Sequence, residues 1–248
     1  MEEKLRNVLT ITERELVSYF ASPLAYVFIV IFLAMSGGLT FFIAGFLDAG
    51  EASLRAFFQW HPWLFLFLIP AIGMRLWAEE RKSGTIELLM TQPVTVAEAV
   101  IGKYLAAWLF IGVALVLTFP IWATVNYLGD PDNGVIVTAY LGSWLMSGAF
   151  LGITAAISSL TKNQVIAFVV GAAACFVFLL SGIDMVQSFF RAFLPDGLAH
   201  IIANLSIMTN YQALSEGVTD LRNIIYFASL IAASLFINAS ILDLKKGE

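Results

Sequence analysis

The chain has 248 residues, of which 60% are hydrophobic and 12% charged, and its mean hydropathy is +0.86. A soluble domain carries roughly 45–50% apolar and about 25% charged residues, so a water-soluble globular fold is excluded. The formal charge of -5 is small, and the 13 Lys and Arg residues are scattered near the ends of apolar runs, which leaves no basic face for nucleic acid.

Glu2, Glu3, Glu13 and Glu15 precede the first apolar run without a small-residue cleavage pattern, so the run is expected to stay as a first span and not to act as a signal peptide. Within residues 1–22, Leu5, Val8, Leu9, Leu16, Val17 and Phe20 recur at spacings near three and four. This pattern predicts an amphipathic helix in the membrane interface, ended at Ser22-Pro23. The alternative is a solvated helix packed on another subunit. Leu24 to Leu47 then gives 24 uncharged residues, where about 20 suffice to cross a hydrocarbon core of roughly 30 Å. Further spans are expected at 56–76, 96–128, 135–160, 165–183 and 224–244. Alternating strands of the barrel kind are absent, so the expected fold is all-α: one polytopic domain over 1–248 with six transmembrane helices.

Between the second and third spans lies a charged stretch, 78–93. Arg75, Glu79, Glu80, Arg81, Lys82 and Glu87 each cost about 2.5–3.5 kcal/mol at mid-membrane, which places them outside the core. Gly84 breaks the chain, Thr85 is a good N-cap, and Glu87 falls in the first turn that follows. Ile86, Leu89 and Met90 share one face, and Pro93 closes the segment. The expectation is a short surface helix, either a docking helix for a soluble partner or a loop helix packed on its own bundle. The third span opens with Thr95-Val-Ala-Glu98, a capping box. A helix from there to Tyr127 has roughly 32 residues and a length of about 48 Å, so it projects or tilts, with a kink expected at Pro120.

Ala34-x-x-x-Gly38, Gly148-x-x-x-Gly152-x-x-x-Ala156 and Ala167-x-x-x-Gly171 make smooth helix faces, for packing inside one bundle or for a subunit interface or translocation path. Cys175, the only cysteine, sits in an apolar run as a small hydrophobe, and no disulfide within the chain can form. Between the last two spans, in 184–222, the apolar stretches Met185 to Leu194 and Gly197 to Leu214 are interrupted by Gln187 and Arg191 and by His200, Asn204, Asn210 and Gln212. Two short outer helices are expected, turning at Pro195-Asp-Gly197, either re-entrant or forming a surface cap. Asp184 reads as an interfacial anchor or a proton relay. His61, expected in an outer aromatic belt, and His200 are too isolated to suggest a metal site. Leu145-Met146-Ser147-Gly148 lacks the first glycine of the G-x-S-G of intramembrane serine proteases, so no catalytic residue is expected.

Lys4, Arg6, Arg14, Arg75, Arg81, Lys82, Lys103, Lys162, Lys245 and Lys246 fall on one side of the six-span topology, and Arg55, Arg191 and Arg222 on the other. The excess places both termini in the cytoplasm.

Glu80-Arg81-x-x-Gly84-Thr85-x-Glu87-Leu88-Leu89 followed by Pro93 resembles the coupling-helix region of ABC-2-type permeases, the membrane subunits of ABC exporters. The resemblance covers the whole chain, and within the family it is nearest to the permeases associated with gliding motility and with nitrous oxide reductase maturation. It implies a multi-pass protein of the bacterial inner membrane that performs no covalent chemistry. It also implies that Glu79, Glu80, Arg81, Gly84, Thr85, Glu87, Leu88 and Leu89 contact an ATPase. No G-x-x-x-x-G-K-[ST] occurs in the sequence, so any ATPase is expected as a separate chain, with no cofactor on this one; the resemblance implies two such subunits, carrying ATP and Mg. A second copy or a paralogue of the permease, membrane lipid, and an accessory protein of the periplasm or membrane are the further expected partners. An ion-gradient-driven secondary transporter would want ionisable residues near mid-span and inverted repeats, which are missing. A non-transporting membrane scaffold recruiting its partner through the same loop is the other alternative.

Overall fold

The computed structural model describes residues 2–48, 50–86, 94–183, 186–188 and 204–245. Its elements are all helical: α1 (Glu2–Ala21), α2 (Pro23–Gly38) running on into a π-helical turn (Leu39–Ile43), α3 (Arg55–Phe58), α4 (His61–Gly73), α5 (Arg75–Ser83), α6 (Val96–Val116), α7 (Phe119–Leu128), α8 (Asn133–Ser158), α9 (Gln164–Leu180), α10 (Ile207–Ser215) and α11 (Leu221–Leu244). Among the described residues, five stretches are long and apolar enough to cross a bilayer: Pro23–Ile43, Arg55–Ser83, Val96–Leu128, Asn133–Ser158 and Leu221–Leu244. The run at 165–183 forms α9, a 17-residue helix, which at about 26 Å is a few ångströms shorter than a core of roughly 30 Å. The protein is an all-α polytopic membrane protein.

The bundle is organised around α8, which packs against α4, α6, α9, α10 and α11. From Met146 to Ala156 every residue is buried. A helix with neighbours on all sides needs small residues on several of them, and α8 has them. A Cβ on Gly142 would stand 2.8 Å from Leu214 of α10, one on Gly148 would stand 2.8 Å from the Trp108 ring and the Tyr104 hydroxyl of α6, and one on Gly152 would stand 3.0 Å from Ser234 of α11. Gly171 of α9 closes on Thr154 in the same way. The stripe through Gly148, Gly152 and the buried Ala156 is therefore spent on packing within the chain. Ala34 is exposed and Gly38 has open space around its Cα; this stripe faces outward, beside the exposed Val30 and Phe42.

Two expectations about helix geometry need revision. The expected single helix from 95 to 127 is not merely kinked: α6 ends at Val116 and α7 begins at Phe119, with Pro120 in the first turn of α7. Proline is well suited to that position, where its missing N–H breaks no bond. The Thr118 hydroxyl fills the break by donating to Leu115 O (2.6 Å), and it bonds the Tyr140 hydroxyl at 2.8 Å. The other revision concerns His61, which is fully buried against Phe32, Phe57, Phe58 and Phe65 and not set in a surface belt. Tyr211 donates to Phe58 O (2.8 Å), so its oxygen accepts from Ser143 (3.2 Å), whose oxygen in turn accepts from His61 Nδ1–H (2.8 Å). That chain of donors fixes the tautomer and ties α4, α8 and α10 together at one end of the bundle.

Of the expected outer helices, α10 is buried against α8 through Ile207, Tyr211 and Leu214. Of the first of them only residues 186–188 are described, and they are helical; His200, Asp184 and the Pro195 turn lie outside the described residues.

Candidate functional site

The second span does not stop at the charged stretch. After a single turn at Met74, helix resumes as α5, with Leu76, Trp77 and Ala78 buried. Ser158, near the end of α8, holds this junction: its oxygen accepts from Trp77 N (3.2 Å) and Ala78 N (3.0 Å), and its hydroxyl donates to Met74 O (2.8 Å). These are the backbone groups that a break in helical hydrogen bonding leaves without partners, and one side chain serves them all. Ser158→Ala is expected to lower stability by about 1–2 kcal/mol, since the groups stay buried after their partner is gone. Thermal unfolding of the detergent-solubilised variant beside the wild type measures it.

Beyond this junction the charged residues of α5 turn inward. Glu80 lies 2.7 Å from Lys103 Nζ on α6, and Lys103 lies 3.2 Å from Glu15 on α1. The Lys103 side chain is 5% exposed, and its ammonium stands 5.7 Å from the centre of the Trp77 ring. The ring adds cation–π attraction to the two ion pairs. Glu80 Oε2 is shielded from water and has no partner among the described residues. Arg81 donates to Ser159 O at the end of α8 (2.5 Å), and Lys245 donates to Leu160 O (2.9 Å). Cations on carbonyls at a helix C-terminus are favourably placed against its dipole. Two adjacent residues of α5 thus reach two different parts of the bundle, α1 and α6 through Glu80, α8 through Arg81. Glu79 instead pairs with Arg75 one turn back at 2.8 Å, on the exposed side.

α1 reinforces the arrangement. Asn7 donates to Glu98 (3.4 Å), Thr12 donates to Gly102 O (3.2 Å), Glu15 meets Lys103, and Tyr19 stacks on Phe110 at 5.3 Å. Both numbers climb together, so α1 runs alongside α6 in the same direction. Its partner face includes Ile11, which comes so close to Gly102 that a Cβ there would stand 2.7 Å away. Leu5, Leu9 and Val17 remain exposed. Burial first, and the neighbouring Glu15 carboxylate second, raise the pKa of the Tyr19 phenol. The capping box forms as expected: Thr95 Oγ1 accepts from Glu98 N (3.3 Å), and Glu98 Oε2 accepts from Thr95 N (3.0 Å).

Gly84 ends α5 at φ +76°, a left-handed cap that glycine adopts without strain. Thr85 is itself helical, and its hydroxyl lies 2.9 Å from that of Ser83. Glu87, Leu88 and Leu89 lie outside the described residues. Of the residues expected at a docking surface, then, Glu80 and Arg81 bond within the bundle, Glu79 pairs locally, and Gly84 and Thr85 follow the end of α5, with Ile86 packed against the core. Lys103 and Glu15 were not singled out by sequence, although Lys103 is the one charge beyond the first turn of an otherwise apolar helix.

No curated protein gives a match to the chain. The family model described as ABC-2 family transporter protein matches residues 9–242, nearly all of the helical bundle together with its charged junction. The chain therefore belongs to the ABC-2 transporter family, as a permease, the membrane part of an ABC transporter.

Proposed function

We propose that this permease is driven by ATPase subunits on separate chains, and that α5 passes their motion into the membrane. The observation that carries the proposal is the pair Glu80 and Arg81, which tie one short helix to α6 with α1 and to the end of α8. A displacement of the segment after Gly84 is transmitted through α5 to several helices at once, because packed helices move as bodies and do not deform continuously. In this reading the segment from Gly84 through Leu89 meets the ATPase, and α5 is the lever behind it. ATP and Mg bind on the ATPase, whose differential affinity for two states supplies the free energy. Two permease copies, identical or paralogous, span the inner membrane with both termini cytoplasmic and meet two ATPase subunits on the cytoplasmic side. The output is export of a substrate or a conformational signal to a membrane or periplasmic partner.

Co-purification of the tagged chain tests this. A partner bearing a Walker motif is expected to accompany the wild type. It is expected to be lost from a Gly84→Pro, Glu87→Arg double variant that elutes as a folded species. Proline cannot adopt the positive φ of Gly84, so the exit from α5 is redirected. Absence of any such ATPase from the wild-type complex would overturn the reading.

A further inference from the structure

A cleft of about 430 Å³ opens between α1, α2, α4 and α5, within the size range of small-molecule sites. One end is charged, lined by Glu15, Arg75, Glu79, Glu80 and Lys103. The rest is apolar, with Ile31 of α2 and Leu68 and Ile72 of α4 among its walls. Ile31 lies eight residues after Pro23, and Leu68 seven before Arg75. The apolar wall therefore runs along both helices for about 10–12 Å away from the charged end. A charged head on an apolar trough, in a chain that spans the membrane, matches an amphiphile lying along the bundle.

The charges select its class. In the lining Glu15, Glu79 and Glu80 outnumber Arg75 and Lys103, and Arg14, outside the lining, bonds Glu15 at 3.0 Å. With no excess of cations, the site disfavours an anionic head. A zwitterionic head fits: its ammonium meets the carboxylates, and its phosphate meets the Arg75 guanidinium, which has donors beyond the two given to Glu79. We propose that the cleft holds one zwitterionic glycerophospholipid, its head beside the Glu15–Lys103–Glu80 cluster and an acyl chain between α2 and α4. This inference rests on the bundle and does not depend on an ATPase being the partner.

Native mass spectrometry of the full chain in detergent tests it, with phosphatidylethanolamine and phosphatidylglycerol of identical acyl chains added in equal amounts. The ethanolamine lipid is expected to be retained about fivefold over the glycerol lipid, a free-energy difference of about 1 kcal/mol. Glu79→Gln, at a half-exposed position, leaves carboxylates and cations equal in the lining, frees the Arg75 guanidinium for phosphate, and is expected to bring the ratio to parity. Ile31→Trp, at an exposed position, fills the trough and is expected to lower retention of both lipids. Equal retention by the wild type, a preference for phosphatidylglycerol, or a ratio and retention untouched by both substitutions would each overturn the proposal and mark the lipid as an ordinary annular one.

Discussion

Lys103→Met is expected to be among the most damaging single substitutions in this chain outside the helix-packing glycines. It removes the cation that, among the described residues, pairs with both Glu15 and Glu80, leaving Glu15 with Arg14 alone and Glu80 with no counter-ion beside the Trp77 ring. Breaking a buried pair by deleting one partner costs roughly 3–5 kcal/mol, because the remaining charge has lost both water and its counter-ion. Glu15 and Glu80 keep 20% and 21% of their side chains exposed, so the expected loss is lower, about 2–3 kcal/mol. Glu80 carries most of it, with one oxygen already buried and unpartnered. The triple variant Glu15→Gln, Lys103→Met, Glu80→Gln removes all three charges and is expected to recover much of the stability, since a buried ion cluster exchanged for neutral groups is often close to neutral. Thermal unfolding in detergent separates the two. A wild-type midpoint for Lys103→Met would show that the cluster contributes nothing. If the proposed lever is right, the triple variant folds yet transmits poorly, so its reconstituted complex should hydrolyse ATP with weakened response to the permease.

Gly148→Val tests packing rather than charge. The added Cβ would meet the Trp108 ring and the Tyr104 hydroxyl at 2.8 Å. Neither can withdraw freely: Tyr104 donates to Gly148 O (3.0 Å), while Trp108 donates to Trp144 O (2.9 Å) and stacks on that ring at 4.1 Å. Forcing α6 and α8 apart is expected to cost about 2–3 kcal/mol, at the upper end of ordinary overpacking. Gly38→Val is the control, because nothing lies within 4 Å of its Cα substituent. It should leave the unfolding midpoint of the single chain unchanged. If Gly38→Val instead shifts the oligomer on size exclusion while Gly148→Val lowers the midpoint, the two stripes have different duties, one between chains and one within.

The two stripes have the same small-xxx-small pattern, and nothing in their spacing separates them. What differs is that α8 is enclosed by other helices of the bundle whereas the Ala34 face of α2 looks outward, and enclosure is a property of the assembled bundle. The same applies to the charged stretch. Its expected exclusion from the hydrocarbon follows from desolvation cost alone and needs no tertiary partner. That Glu80 and Arg81 bond within the bundle depends on partners 23 and 78 residues further on.

The ABC-2 family was legible in the sequence through the likeness of its charged motif, and the family model bears it out. By itself the sequence also determined that this chain crosses a membrane as helices, that α6 begins at the Thr95 capping box and that Gly84 breaks the charged helix. These last three rest on local quantities: hydropathy over a span, a capping box, a glycine that tolerates positive φ. Only the tertiary structure decided that α1 runs beside α6, that His61 is a core residue hydrogen-bonded to Ser143, and that Lys103 joins Glu15 to Glu80. Each of these is a pairing between residues distant along the chain, chosen by which buried polar groups and small faces find one another once the helices have packed.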